Sequence, residues 1–340
     1  MAKEIWLWLL EQLKKAGQGF IAFCQMMWRW LAGKLSAVSG SVWRKLVVAL
    51  PVLLVLYILI GMVIVNRIDD TLDIKAGTPP GGSETVAVVA ALVEREVVDH
   101  NWTPNDPMFL PGWWVDNTPN FQKGIIGALS RFGFELRDQL GRMRGSSAVD
   151  EELERAAGNL SKEPDRWIMD FSTSLLPITA SDTYFREAAR NLRSYNGRLA
   201  SGDAIFERRA DNLLATLDRI SLDLGASSAA LEDYMSKNAG GLLPDSGADD
   251  LFYLTKGQVY AYTLILVALQ RDFEALIADR ELTAIYADML VSMKEAATLN
   301  PLVVINGSVD GMLANHLAIE GFYLLRARTK LKEVTNILLK

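Results

Sequence analysis

Residues 46–65 read LVVALPVLLVLYILIGMVIV, twenty positions without a charge. At about 1.5 Å of rise per residue, a helix of that length covers the roughly 30 Å of hydrocarbon in a bilayer. The run predicts a chain anchored in a membrane by a single transmembrane helix. Its flanks predict the direction. Arg44 and Lys45 stand directly before it, while only Arg67 and Lys75 follow closely. Residues 1–66 hold seven basic and two acidic side chains out of 35 and 41 in the chain, which leaves 28 basic and 39 acidic beyond them. Because Lys and Arg beside a span are retained in the cytoplasm, the N-terminus is expected inside and the long acidic part exported. That acidic balance also argues against a nucleic-acid partner. No short apolar core with a small-residue cleavage site occurs in the first thirty positions, so the span reads as an uncleaved signal anchor.

The arm ahead of it, residues 1–45, interleaves Trp6, Trp8, Trp28, Trp30 and Trp43 with basic residues ending at Arg44 and Lys45. Tryptophan beside lysine and arginine favours the headgroup layer. These seven residues are the expected membrane-interface set, carried on helix-like stretches near 3–15 and 19–35 that lie on the inner leaflet or pack on a protein. A second crossing through 20–31 would bury Gln25 and Arg29, at high cost. Cys24 is the one cysteine. It reads as a small apolar side chain, and the exported part has no thiol for a disulfide, which suits a bacterial periplasm.

After the span, residues 66–83 contain Gly77, Pro79, Pro80, Gly81 and Gly82, a composition that predicts a flexible linker. Residues 84–340 then read as one α-helical domain. Ser83 is a natural N-cap for an apolar helix running to about residue 99. The stretch NWTPNDPMFLPGWWVDNTPNF, 101–121, has four prolines and predicts a fixed loop. Helical periodicity then returns from Phe121, near 150–159, 164–174 and 181–199 with Ser181 or Asp182 as cap, at 203–224 closed by Gly225, at 228–238, 249–279, 281–298 and 313–339. Residues 301–307 are the one strand-like piece. The apolar run Val259–Leu269 is too short to cross a bilayer and is expected to be a buried core helix.

Sites of chemistry are sparse. His100 and His316 are the only histidines, so common zinc spacings are absent, and no serine-nucleophile, Walker or dinucleotide glycine pattern is present. No metal or cofactor is expected. The best enzymatic hint is Glu94, Glu96, Asp99, Asp106 and Asp116 lying close in sequence to Trp102, Trp113 and Trp114, since glycan hydrolases pair carboxylates with aromatic platforms. The plainer reading makes the carboxylates a solvated helix face and the tryptophans the anchors of the loop. Trp102, Asp106, Trp113, Trp114 and Asp116 are therefore the candidate ligand or partner surface, and burial of the tryptophans would favour the plainer reading. His316 and Glu320, one helical turn apart, form either a pH-sensitive pair or ordinary packing.

The basic Trp-rich arm, the span, the Asp69-Asp70-Thr71 segment and the two stretches His100–Phe109 and Gly112–Gly124 together resemble an uncharacterised bacterial inner-membrane family, a conserved domain of unknown function in Gram-negative organisms. The resemblance covers nearly the whole chain and implies a compartment, with no catalytic residue, substrate or cofactor. The expectation is a mainly α protein, a transmembrane helix followed by an all-helical periplasmic domain with a Pro/Trp-rich loop. Its expected role is that of a non-enzymatic scaffold or interaction module with a protein partner in the envelope or a homo-oligomeric one. The alternatives are a peptidoglycan-binding or peptidoglycan-cleaving protein using 94–116, and a transporter accessory subunit.

Overall fold

The computed structural model describes residues 41–142, 149–170, 174–238, 245–301, 303–307 and 314–339, with Gln25, Met26 and Arg29; for 41–44 it describes the backbone only. Of the expected helices of the arm only Gln25, Met26 and Arg29, helical and within 19–35, are described; the stretch 3–15, the rest of 19–35 and Cys24 lie outside the described residues. Two compact units divide at Ile60 and Gly61.

The first unit contains most of α1, Ser41–Val65. Its side chains from Leu46 to Ile64 are largely exposed, as a helix apolar on every face would be when lipid is its solvent. Among the described residues it is the one helix long and apolar enough to cross a membrane. Pro51 sits inside it.

Among the described residues the second unit holds nine further α-helices: α2 (Glu84–Glu94), α3 (Asn117–Glu135), α4 (Glu151–Leu160), α5 (Ser181–Ser201), α6 (Ala210–Asn238), α7 (Ser246–Asp272), α8 (Glu274–Asp279), α9 (Thr283–Ala297) and α10 (His316–Leu338). No strand occurs among the described residues, and the strand-like 301–307 piece makes only an isolated bridge from Asn306 to Asn315. The helix α7 is the centre. It is buried from Val259 to Leu266 without a break, and α2, α3, α6, α9 and α10 all pack on it, which confirms the core-helix expectation for Val259–Leu269. Where α3 and α7 cross, Gly124 faces the Leu254 carbonyl and Gly257 faces the Phe121 carbonyl, so closely that a Cβ on either would overlap backbone. The paired glycines let two helix backbones touch and set the axis of the bundle.

The N-terminus of α2 is held by that same central helix. Ser83 caps α2 as expected, and Asp272 at the end of α7 accepts from Ser83 Oγ at 2.6 Å, Glu84 N at 3.0 Å and Thr85 N at 2.9 Å. A carboxylate there satisfies orphan amides and meets the positive end of the helix dipole.

Residues 66–83 have no helix or strand, but the expected flexible linker is corrected to a strap laid on the core. Ile68, Leu72 and Ile74 pack against the apolar cluster and Ala76 is buried in it. The fully buried Lys256 ammonium meets Asp70 at 2.7 Å, Tyr260 Oη donates to the Thr71 carbonyl, and Arg193 donates to the Ala76 carbonyl. Partners this distant in sequence leave no local signal.

Other boundaries differ for similar reasons. Gly225 does not close a helix. It lies inside the 29-residue α6, where the absence of a side chain admits the Arg328 guanidinium of α10, so the expected helices 203–224 and 228–238 are one. That helix starts at Ala210 because 203–209 is drawn out along the core: Gly202 ends α5 with φ 85°, Glu207 N donates to the Leu140 carbonyl at 2.7 Å, and Phe206 packs on Phe273. Residues 164–170 are irregular instead of helical, their carbonyls being taken by distant donors such as Ser181 N and Asn105 Nδ2 on Arg166 O. Neither Ser181 nor Asp182 caps α5, for Ala180 holds that position and Ser181 Oγ donates to Glu163 O at 2.6 Å.

Candidate functional site

The proline-tryptophan loop is positioned by one glutamine. Gln122, buried on α3, accepts from Thr103 N at 3.1 Å and Thr103 Oγ1 at 2.8 Å, and its Nε2 donates to the Asn101 carbonyl at 2.9 Å and the Glu96 carbonyl at 3.2 Å. Ahead of it α2 widens into a π-turn over Arg95–Asp99, and Asn101 adopts φ 61°, a left-handed conformation that asparagine tolerates. The chain thereby reverses off the helix. Trp102 is buried, edge-on to Phe185 at 4.9 Å, and its Nε1 donates to Pro164 O at 2.9 Å. Pro111–Trp114 forms a 3-10 turn.

Between this loop and α5 lies a cavity of about 490 Å³, with walls that include Trp102, Thr103, Asn105, Asp106, Trp167, Ile168, Asp182 and Arg186. Asp106 is its one inward carboxylate from the expected set. Burial pushes its pKa up to about 6, against the opposing hydrogen bond from the Gly112 amide. A Cβ at position 112 would overlap that carboxylate, so glycine is what permits the amide to approach. Across the cavity Asp182 pairs with Arg186 at 2.7 Å. The cavity thus offers one carboxyl able to donate a hydrogen bond at mildly acidic pH, one ion pair, and indole surface. It suits a polar ligand with an apolar face.

The other expected carboxylates do not converge here. Glu94 is held by Arg193, at 2.6 and 3.1 Å. Glu96 is buried and takes two bonds from Arg95, which also donates to Tyr260 Oη at 2.6 Å. The side chain of Glu96 further raises the pKa of His100, 3.5 Å away, by accepting from it. Asp99 is exposed. Asp116 is exposed at the start of α3 and adds its charge to Asp249 and Asp250, with burial and this repulsion raising Asp249 to about 6. Among the described residues no group of three or more His, Cys, Asp or Glu side chains is arranged to hold a metal.

The tryptophans divide. Trp102 serves the fold, while Trp113 and Trp114 stand out in solvent, edge to face at 4.9 Å. Trp167, Asp182 and Arg186 were missed as site residues by sequence reasoning, because Asp182 and Arg186 join the loop through the packing of α5 and Trp167 through the irregular segment 164–170, tied to Ser181 and Asn105. His316 and Glu320 do not pair: His316 Nδ1 accepts from Ile305 N at 2.9 Å, and both Glu320 carboxyl oxygens are buried with no hydrogen-bond partner. Of the membrane-interface set, Lys45 is exposed on α1. Trp6, Trp8, Trp28 and Trp30, and the side chains of Trp43 and Arg44, lie outside the described residues.

No curated protein and no solved structure matches the chain. A family model does, over residues 39–240 and 244–340, and so takes in α1, the strap, the loop and the helical body. On that coverage the chain belongs to the DUF2333 family, described as an uncharacterized protein conserved in bacteria.

Proposed function

We propose that this is a single-pass inner-membrane protein with its N-terminus in the cytoplasm, and that its helical body, including the strap, is a periplasmic scaffold that binds a partner without catalysing a reaction. The observation that carries the reading is the fate of the carboxylates between 94 and 116. Glu94 and Glu96 are engaged by arginines that hold the fold together, and Asp106 alone reaches the cavity. Two-carboxylate hydrolysis needs a facing pair at a defined separation, and a salt-bridged Asp182 is a poor second member. Orientation follows from the basic flank before α1.

Crosslinking in intact bacterial membranes, followed by purification of the full chain and mass spectrometry, tests the reading. A reproducible crosslinked neighbour supports it, and recovery of monomer alone counts against it. The second reading, a peptidoglycan-binding or peptidoglycan-cleaving envelope protein, is favoured by the raised pKa of Asp106 within an indole-walled cavity. Release of muropeptides from purified sacculi by the full-length protein, abolished by Asp106→Ala, would replace the scaffold reading with this one.

A further inference from the structure

The end of α1 and the loop are joined at two points within the second unit. The Pro111 ring fills the space that a side chain at Gly61 would need, and Thr118 Oγ1 donates to the Val65 carbonyl at 2.9 Å. Gly61 lies four residues before the apolar run ends, about 6 Å along the helix axis. A loop fastened there sits where a span leaves the hydrocarbon.

What the loop presents at that level is apolar and uncovered. Met108 is 62% exposed, Phe109 56%, Trp113 53% and Trp114 48%. They are held in place, since Trp114 Nε1 donates to the Met108 carbonyl at 2.9 Å and so ties the two limbs of the loop together. Phe109 meets Trp167 edge-on at 5.8 Å, which adds another indole beside the loop. Large apolar side chains gathered in this way mark an interaction surface, and indoles with one polar edge favour the membrane interface.

We infer that the Met108–Trp114 loop is a membrane anchor, seated in the headgroup layer of the leaflet from which α1 emerges. The occupant is the phospholipid bilayer, because the patch is continuous with the end of the apolar span. The inference rests on the reading of α1 as a span and holds whichever side the body occupies. Asp106 and Asp116 flank the loop, the cavity-wall cation Arg186 is paired, and the exposed Arg67 belongs to the chain just past α1 and not to the loop. Binding is therefore driven by the apolar side chains and is insensitive to anionic lipid. With the loop seated, the body is fixed against the membrane at two places and does not swing on one tether.

The test uses full-length protein with Cys24→Ser, spin-labelled singly at Met108→Cys, Trp113→Cys, Leu54→Cys or Asp218→Cys, in vesicles of phosphatidylcholine with and without phosphatidylglycerol. Asp218 is exposed and precedes Arg219, which acts on Glu135, eighteen residues and about 27 Å of helix beyond Asn117. It serves as the aqueous reference, and Leu54 reports the bilayer interior. The expected ratio of oxygen to nickel-chelate collisions at 108 and 113 lies severalfold above that at 218 and below that at 54, and is the same in both lipid mixtures. Labels at 113 matching 218, with 54 deep in lipid, would overturn the anchor while leaving the span intact. Shielding of 108 and 113 from both reagents, with dipolar broadening, would assign the patch to a second copy instead. An aqueous reading at 54 would remove the span and the anchor together.

Discussion

Replacing Asp272 by alanine removes the acceptor that joins the end of α7 to the start of α2. Its side chain is 5% exposed and accepts three hydrogen bonds, from Ser83 Oγ, Glu84 N and Thr85 N, at 2.6 to 3.0 Å. Losing a helix N-cap interaction costs about 1 kcal/mol, and a hydrogen bond to a charged group contributes roughly 1.5–3 kcal/mol. The bonds share one carboxylate and are not additive, so the expected loss is about 2–4 kcal/mol. For a body of this size 1 kcal/mol moves Tm by roughly 2–4 °C, giving a fall of about 5–15 °C. The assay is thermal unfolding of the full-length protein in mild detergent, followed by circular dichroism at 222 nm. Asp272→Asn keeps one acceptor and is expected to fall between alanine and wild type. A change under about 2 °C for alanine would refute the argument that α2 depends on this carboxylate.

Four further outcomes follow from the same structure. Gly257→Ala places a methyl against the Phe121 carbonyl and is expected to destabilise by about 1–3 kcal/mol, as overpacking does, read by denaturant unfolding. Trp102→Ala should cost about 3–5 kcal/mol as a buried aromatic truncation, while Trp113→Ser with Trp114→Ser leaves unfolding in detergent nearly unchanged. The pKa of Glu320 is raised well above its ordinary value by complete burial. Its contribution to stability is thus fully present below the unfolded carboxylate range and lost as pH rises toward the folded value. Glu320→Gln is accordingly expected to unfold at higher temperature than wild type at pH 8 and at nearly the same temperature at pH 4. Gln122→Leu removes the clamp on Asn101 and Thr103 and should increase proteolytic cleavage within 101–116, measured by limited digestion.

How much of this was readable from sequence depends on how far apart the partners lie. The long apolar helix at 46–65, the Ser83 cap and the Val259–Leu269 core helix are local patterns, and the structure carries each as a helix or cap where it was read, α1 being long and apolar enough to cross a membrane. The proline spacing made 101–121 an irregular loop; 101–116 is irregular apart from the 3-10 turn at Pro111–Trp114, but α3 already begins at Asn117, with Pro119 in its first turn, where a missing amide costs no helical bond. The strap looked flexible because its composition records glycine and proline but not Lys256 or Tyr260, which reach it from nearly two hundred residues away. Gly225 carried a stop signal that packing against Arg328 overrode. Of the candidate site, sequence reasoning held Asp106, Trp102, Trp113 and Trp114, while the far wall of the cavity depends on how α5 folds back with Asp182 and Arg186 and on the irregular segment that carries Trp167. A cluster of carboxylates in sequence was not one in space, since Arg193 of α5 claimed Glu94 and the adjacent Arg95 claimed Glu96.

The central claim is that α1 crosses the inner membrane and delivers the helical body to the far side. Cysteine placed at Asp218 in a Cys24→Ser background tests it most directly, with a membrane-impermeant maleimide added to intact spheroplasts. The account predicts full labelling before lysis, with no further gain after it. Labelling that appears only once the cells are broken would contradict it.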